Sequence, residues 1–228
     1  MTKVLYAFIL AGMLISCNAP TEAEKEGTES TETEAALTDT EPEEEPMEMV
    51  AIDSDEALIA TALMAAPEAS RGGAKVIGYN MAGEFVTLRE GTNEFICLAN
   101  DPKTDRFSAA CYHKSLDPFM ARGRALKAEG KKAKEIFDIR EIEVKSGELS
   151  MGKAGSTLHI YYGPESTYNP ETGLVAKAIY RYVVYLPFAT AESTGLPESP
   201  IAPNHPWIMN PGTHRAHIMV SPVNGAAE

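Results

Sequence analysis

Glu94-Phe95-Ile96-Cys97-Leu98-Ala99 and Phe107-Ser108-Ala109-Ala110-Cys111-Tyr112, joined by Asn100-Asp101-Pro102-Lys103-Thr104-Asp105, decide the fold. Both flanks read as strands and the joining run is rich in turn formers, so the segment is expected to be a β-hairpin. Centring its turn on Thr104 sets Cys97 against Cys111, Leu98 against Ala110 and Ala99 against Ala109. Opposed Cβ atoms in a non-hydrogen-bonded pair lie about 4.5–5.5 Å apart, only slightly longer than a disulfide prefers. A Cys97–Cys111 disulfide is therefore expected, worth about 3 kcal/mol on the chain-entropy model. The alternative is that Cys111 and His113, two apart and on one strand face, form a Cys-His nucleophile or a metal site.

Working outward from the hairpin, Lys75–Tyr79 and Glu84–Leu88 flank Asn80-Met81-Ala82-Gly83 and read as a second hairpin. Together the two predict a four-stranded antiparallel meander. Before it, Ser54 is placed to cap a helix in which Leu58, Ile59, Ala62 and Leu63 recur at helical spacing until Pro67. After it, residues 115–145 read as helix, with Ser115 as a cap, Pro118 in the first turn and Gly130 dividing the run in two. Strands return at Thr157–Tyr162 and at Ala178–Phe188, whose Ile-Tyr-Arg-Tyr-Val-Val-Tyr-Leu run is the strongest strand signal of the chain. Ala189–Gly212 holds too many prolines for a regular element and is expected to be a long loop, with His214–Val220 as a last strand. Strands, then helices, then strands predict an α+β fold with a mainly antiparallel sheet built from hairpins and helices on one face.

The N-terminal region has a different character. Lys3 precedes an apolar run from Val4 to Ile15, too short for the roughly 20 residues that span a bilayer. It reads as a signal peptide over residues 1–16. Residues 18–50 carry twelve acids against the single base Lys25 and no aromatic residue. Such a tract cannot offset an ordering cost of about 1–2 kcal/mol per residue and is expected to be a disordered acidic tether. Most of the formal charge of −13 lies there, leaving about −3 on residues 51–228, the expected single folded domain. Nothing basic or aromatic in that domain suggests a nucleic-acid partner.

Leu14-Ile15-Ser16-Cys17 resembles the lipobox of bacterial lipoproteins. The resemblance implies that Cys17 is the first mature residue and carries lipid, and that the chain is held at the membrane of the bacterial cell envelope, in the outer membrane. The acidic tract after Cys17 loosely resembles the surface-export signals of some bacterial lipoproteins. Thr87-Leu88-Arg89-Glu90-Gly91-Thr92-Asn93 and Pro206-Trp207-Ile208-Met209-Asn210-Pro211-Gly212-Thr213 resemble segments of uncharacterised secreted bacterial proteins. That resemblance implies no activity. It marks Arg89, Thr92, Asn93, Trp207 and Thr213 as residues to seek around a ligand pocket, or else as a turn and a core plug.

Catalytic signatures such as Gly-x-Ser-x-Gly, a Walker-type loop, His-Glu-x-x-His or Cys-x-x-Cys do not occur. Two function classes follow. The first is a lipid-anchored, non-catalytic binding domain for a small molecule, a glycan or a partner protein, needing no cofactor. The second is a metal-dependent hydrolase using His205, His214 and His217, which fall within about a dozen residues, with His113 or His159 completing the set. Against it, His214 and His217 would point to opposite faces of a strand.

Overall fold

The computed structural model describes residues 48–222. The signal peptide, Cys17 and the tether up to residue 47 lie outside the described residues. The elements in chain order are β1 (Val50–Ala51), α1 (Asp55–Leu63), α2 (Glu68–Arg71), β2 (Lys75–Tyr79), β3 (Phe85–Arg89), β4 (Phe95–Leu98) and β5 (Phe107–His113). After a 3-10 turn at Lys114–Leu116 come α3 (Asp117–Ala128), α4 (Ala133–Ser146), β6 (Thr157–Gly163), β7 (Thr167–Tyr168), β8 (Ile179–Tyr185), α5 (Ala191–Thr194), β9 (Trp207–Met209) and β10 (His217–Val220). β1 begins at Val50, one residue inside the expected tether, and pairs with β7.

The fold is α+β, as the element pattern predicts. The hairpin of β4 and β5 forms in the expected register, with Cys97 opposite Cys111 and Leu98 opposite Ala110, and the two cysteines are disulfide-bonded. Ser54 caps α1, its hydroxyl accepting from the Ala57 amide at 3.1 Å. Gly130, in the left-handed region at φ 82°, separates α3 from α4.

Three expectations are corrected. The first concerns the meander: the eight-stranded sheet runs β3-β2-β4-β5-β6-β8-β10-β9, and β2 pairs with β4 in parallel. β3 is an outer strand with exposed Phe85 and Thr87, whereas β4 carries buried Cys97 and needs neighbours on both sides. The chain therefore passes from β3 beneath the start of β2 to reach β4's place. Gly91 makes this crossing, and a Cβ there would lie 2.7 Å from the Cα of Lys75.

Second, helices lie on both faces of the sheet. Odd-numbered residues of β5 and β6, including Phe107, Ala109, Cys111 and Tyr161, join Leu58 and Ala62 of α1 in one core. Even-numbered Tyr112, Leu158 and Ile160 join Phe119 of α3 and Val144 of α4 in another, with Val183, Tyr185 and Met219. Strands that are apolar on both faces need cover on both. Third, the Pro-rich passage is not wholly irregular: Thr190 caps the short α5, and β9 extends the sheet beside β10. Among the described residues, no helix is long and apolar enough to cross a membrane.

Candidate functional site

Pairing across the sheet aligns Cys97, Cys111, His159 and Tyr182 in one row, and Tyr161 with Tyr180 in the next but one. All point to the face that α1 partly covers. Tyr161 is buried beneath that cover, edge-on to Phe107 at 5.4 Å between ring centroids. Beyond the end of α1 the cover stops. Tyr180 stacks on Tyr161 at 4.5 Å and 19°, Tyr182 continues the row at 6.2 Å and 17°, and His159 meets Tyr182 edge-on at 5.4 Å. The result is a groove of about 410 Å³ with Tyr180, Tyr182 and His159 as its floor and Pro67, Glu68 and Arg71 as its rim.

The electrostatics follow from this half-burial. Burial, with the neighbouring Tyr161 ring, pushes the Tyr180 phenol up to about 12, so it stays protonated and able to donate. Burial also holds His159 below the ordinary histidine value, leaving a neutral imidazole whose Nε2 lies 3.3 Å from the Thr157 hydroxyl. The groove thus offers two stacked, nearly parallel rings, one guanidinium, one carboxylate and a neutral imidazole. It can stack against the apolar face of a ring and hydrogen-bond polar groups at that ring's edge.

The rim is held in place from behind. The Arg89 guanidinium donates to the Arg71 carbonyl at 3.2 Å and to the Gly72 carbonyl, and Asn93 Nδ2 donates to the Ser70 carbonyl at 2.7 Å. The amides of Thr92 and Asn93 donate to the Gly73 carbonyl at 2.7 and 3.1 Å. These groups add to the turn amides of Gly73 and Ala74, which donate to the Ser70 and Arg71 carbonyls at 3.3 and 3.4 Å, in tying down the last turn of α2 and the residues just after it. The Leu-Arg-x-Gly-Thr-Asn segment therefore does not line the groove; it fixes the helix that presents Glu68 and Arg71 to it.

Trp207 and Thr213 lie toward the opposite edge of the sheet. Trp207 packs against the second core, and the Thr213 hydroxyl closes a turn by donating to the Asn210 carbonyl at 2.8 Å. The two sequence segments are not brought together. Nor do the histidines gather. His214 is fully buried between Phe119 and Phe137, its Nδ1 3.1 Å from Glu141, with Arg140 and Arg215 close enough to disfavour any added positive charge. His217 Nδ1 donates to the Arg215 carbonyl at 2.6 Å, and His205 sits in the Pro-rich loop. His113 accepts from the Ser115 amide at 3.2 Å and caps the 3-10 turn, taking the role expected of Ser115. Its pairing with a free Cys111 is overturned, because that sulfur is bonded to Cys97. Among the described residues, no three His, Cys, Asp or Glu side chains are grouped to hold a metal ion.

Sequence reading missed Tyr180, Tyr182 and Arg71. The signal for the tyrosines was present, since residues two apart on a strand share a face. No family model matches this chain, and neither curated proteins nor solved structures yield a significant likeness.

Proposed function

We propose that the chain is a bacterial envelope lipoprotein, held by lipid on Cys17, whose folded part binds a glycan or similar ring-bearing small molecule without transforming it. The observation that carries the reading is the stacked pair Tyr180 and Tyr182, part-exposed in a groove beyond α1 that Arg71 and Glu68 rim. The part-exposed rings of Tyr180 and Tyr182, stacked with nearly parallel planes, give a pyranose ring an apolar surface to pack on, and the rim supplies donors and acceptors for its hydroxyls. The lipobox-like Leu14-Ile15-Ser16-Cys17 and the acidic residues after it support the anchoring, since a charged spacer would hold the domain clear of anionic headgroups.

A glycan array probed with the full chain, followed by titration of the best ligand, tests the binding. Tyr182→Ala is expected to weaken binding by about tenfold, the scale of one lost aromatic contact of about 1.4 kcal/mol. Unchanged affinity in that variant, with the fold intact by circular dichroism, contradicts the reading.

A further inference from the structure

The opposite face of the same strands carries a second groove, of about 540 Å³. α3 and α4 cover the core around Tyr112, Val183 and Tyr185 and leave this part of the face open. Here the even-numbered residues of β6 meet the odd-numbered ones of β8: Ile160 stands opposite Arg181, and Tyr162 opposite Ile179, with Ser108 of β5 beside Tyr162. The lining includes three cations, Arg106, Lys177 and Arg181, and no carboxylate.

Each cation is placed differently. The Arg181 guanidinium lies 5.1 Å from the Tyr162 ring centroid and its Nη2 donates to the Tyr162 hydroxyl at 2.9 Å. Stacking and hydrogen bond fix the fork's plane while leaving its other edge without a partner among the described residues. Arg106 has no side-chain partner among the described residues either. Lys177 sits in the left-handed region at φ 53° and pairs with Glu165 at 2.5 Å, so its charge is partly answered. Two unanswered guanidinium groups facing one concave surface favour a ligand that brings negative charge and acceptor oxygens together.

We propose that this basic groove is a binding site for the phosphate or carboxylate group of a small soluble ligand, distinct from the tyrosine groove and independent of it. The fork of Arg181, already oriented by Tyr162, takes two oxygens of the anion, Arg106 closes from the other side, and the Ser108 hydroxyl is within the same lining to donate. The concave floor suits a compact anionic group better than a flat bilayer surface does.

Calorimetric titration of the full chain in neutral detergent at constant ionic strength tests this, with inorganic phosphate and acetate as probes. Saturable binding of one or both is expected, weakened about tenfold or more in Arg181→Gln and in Arg106→Gln, and unchanged in Lys127→Gln, whose charge is exposed on α3, and in Tyr182→Ala. Circular dichroism and thermal unfolding of the arginine variants show that the loss is local. Absence of saturable binding overturns the proposal, as does equal weakening by Lys127→Gln, which would mark a general effect of charge. Binding to phosphatidylglycerol vesicles but not to phosphate or acetate overturns it as well, assigning the face to a membrane surface.

Discussion

His214 illustrates what burial does to a single titratable side chain. Its ring is packed among Phe119 and Phe137, and burial outweighs the attraction of Glu141 to pull its affinity for protons below the ordinary value. Burial acts the same way on His217 and His159. In the unfolded chain these imidazoles take up protons near about pH 6.5, so below that pH the unfolded state binds more protons than the folded one. Stability from this source is complete above about pH 6.5 and is lost as the pH falls through the lower folded values. Urea midpoints are expected to drop between about pH 7.5 and about pH 5, beyond the region where carboxylates contribute most. A flat midpoint across that interval contradicts the account. At the same scale, Tyr182 and Arg181 are neighbours in sequence yet serve opposite faces, because side chains alternate across a strand.

Among the elements, the passage from β3 to β4 decides most. Its five residues carry the chain beneath β2, let the parallel pair form and, with Arg89 at the end of β3, supply the groups that hold the end of α2. Gly91→Ala is expected to destabilise the protein by about 1–3 kcal/mol, because the added methyl meets backbone rather than a side chain that can turn away. Since α2 carries Glu68 and Arg71, the same variant should weaken ligand binding in the tyrosine groove, although Gly91 does not line it. Urea unfolding checks the first effect and ligand titration the second; a fully stable variant contradicts the crossing as the reason for glycine. The hairpin of β4 and β5 is a contrasting case. Its turn and cysteines specify the pairing locally, and its register follows the sequence strand for strand.

For the whole molecule, the proposed anchor makes a claim about partition. A lipid-bearing Cys17 would hold the full chain in membranes, each buried CH₂ adding about 0.8 kcal/mol, with two or more chains needed for firm attachment. The wild type is expected in the membrane fraction and Cys17→Ala in the soluble fraction, by ultracentrifugation and immunoblotting. Equal solubility of the two contradicts the anchor.

What the sequence determined by itself was local. The caps and periodicity of α1, the split of the mid-chain helices at Gly130, the strand character of β6 and β8, and the disulfide across the hairpin of β4 and β5 all depend on residues close together in the chain. The α+β class follows from their order. Three things were decided only by tertiary structure: the place of β3 outside β2, the distribution of helices on both faces, and the fate of the histidines. Each depends on which apolar surface finds cover, a competition among segments far apart in sequence. The candidate groove belongs to this second group. The tyrosine row is written in the alternation of β8, but its openness comes from where α1 stops, and its rim from a helix held by Arg89 and Asn93. A sequence fixes which face a strand residue occupies, and packing alone fixes whether that face is buried or left open to a ligand.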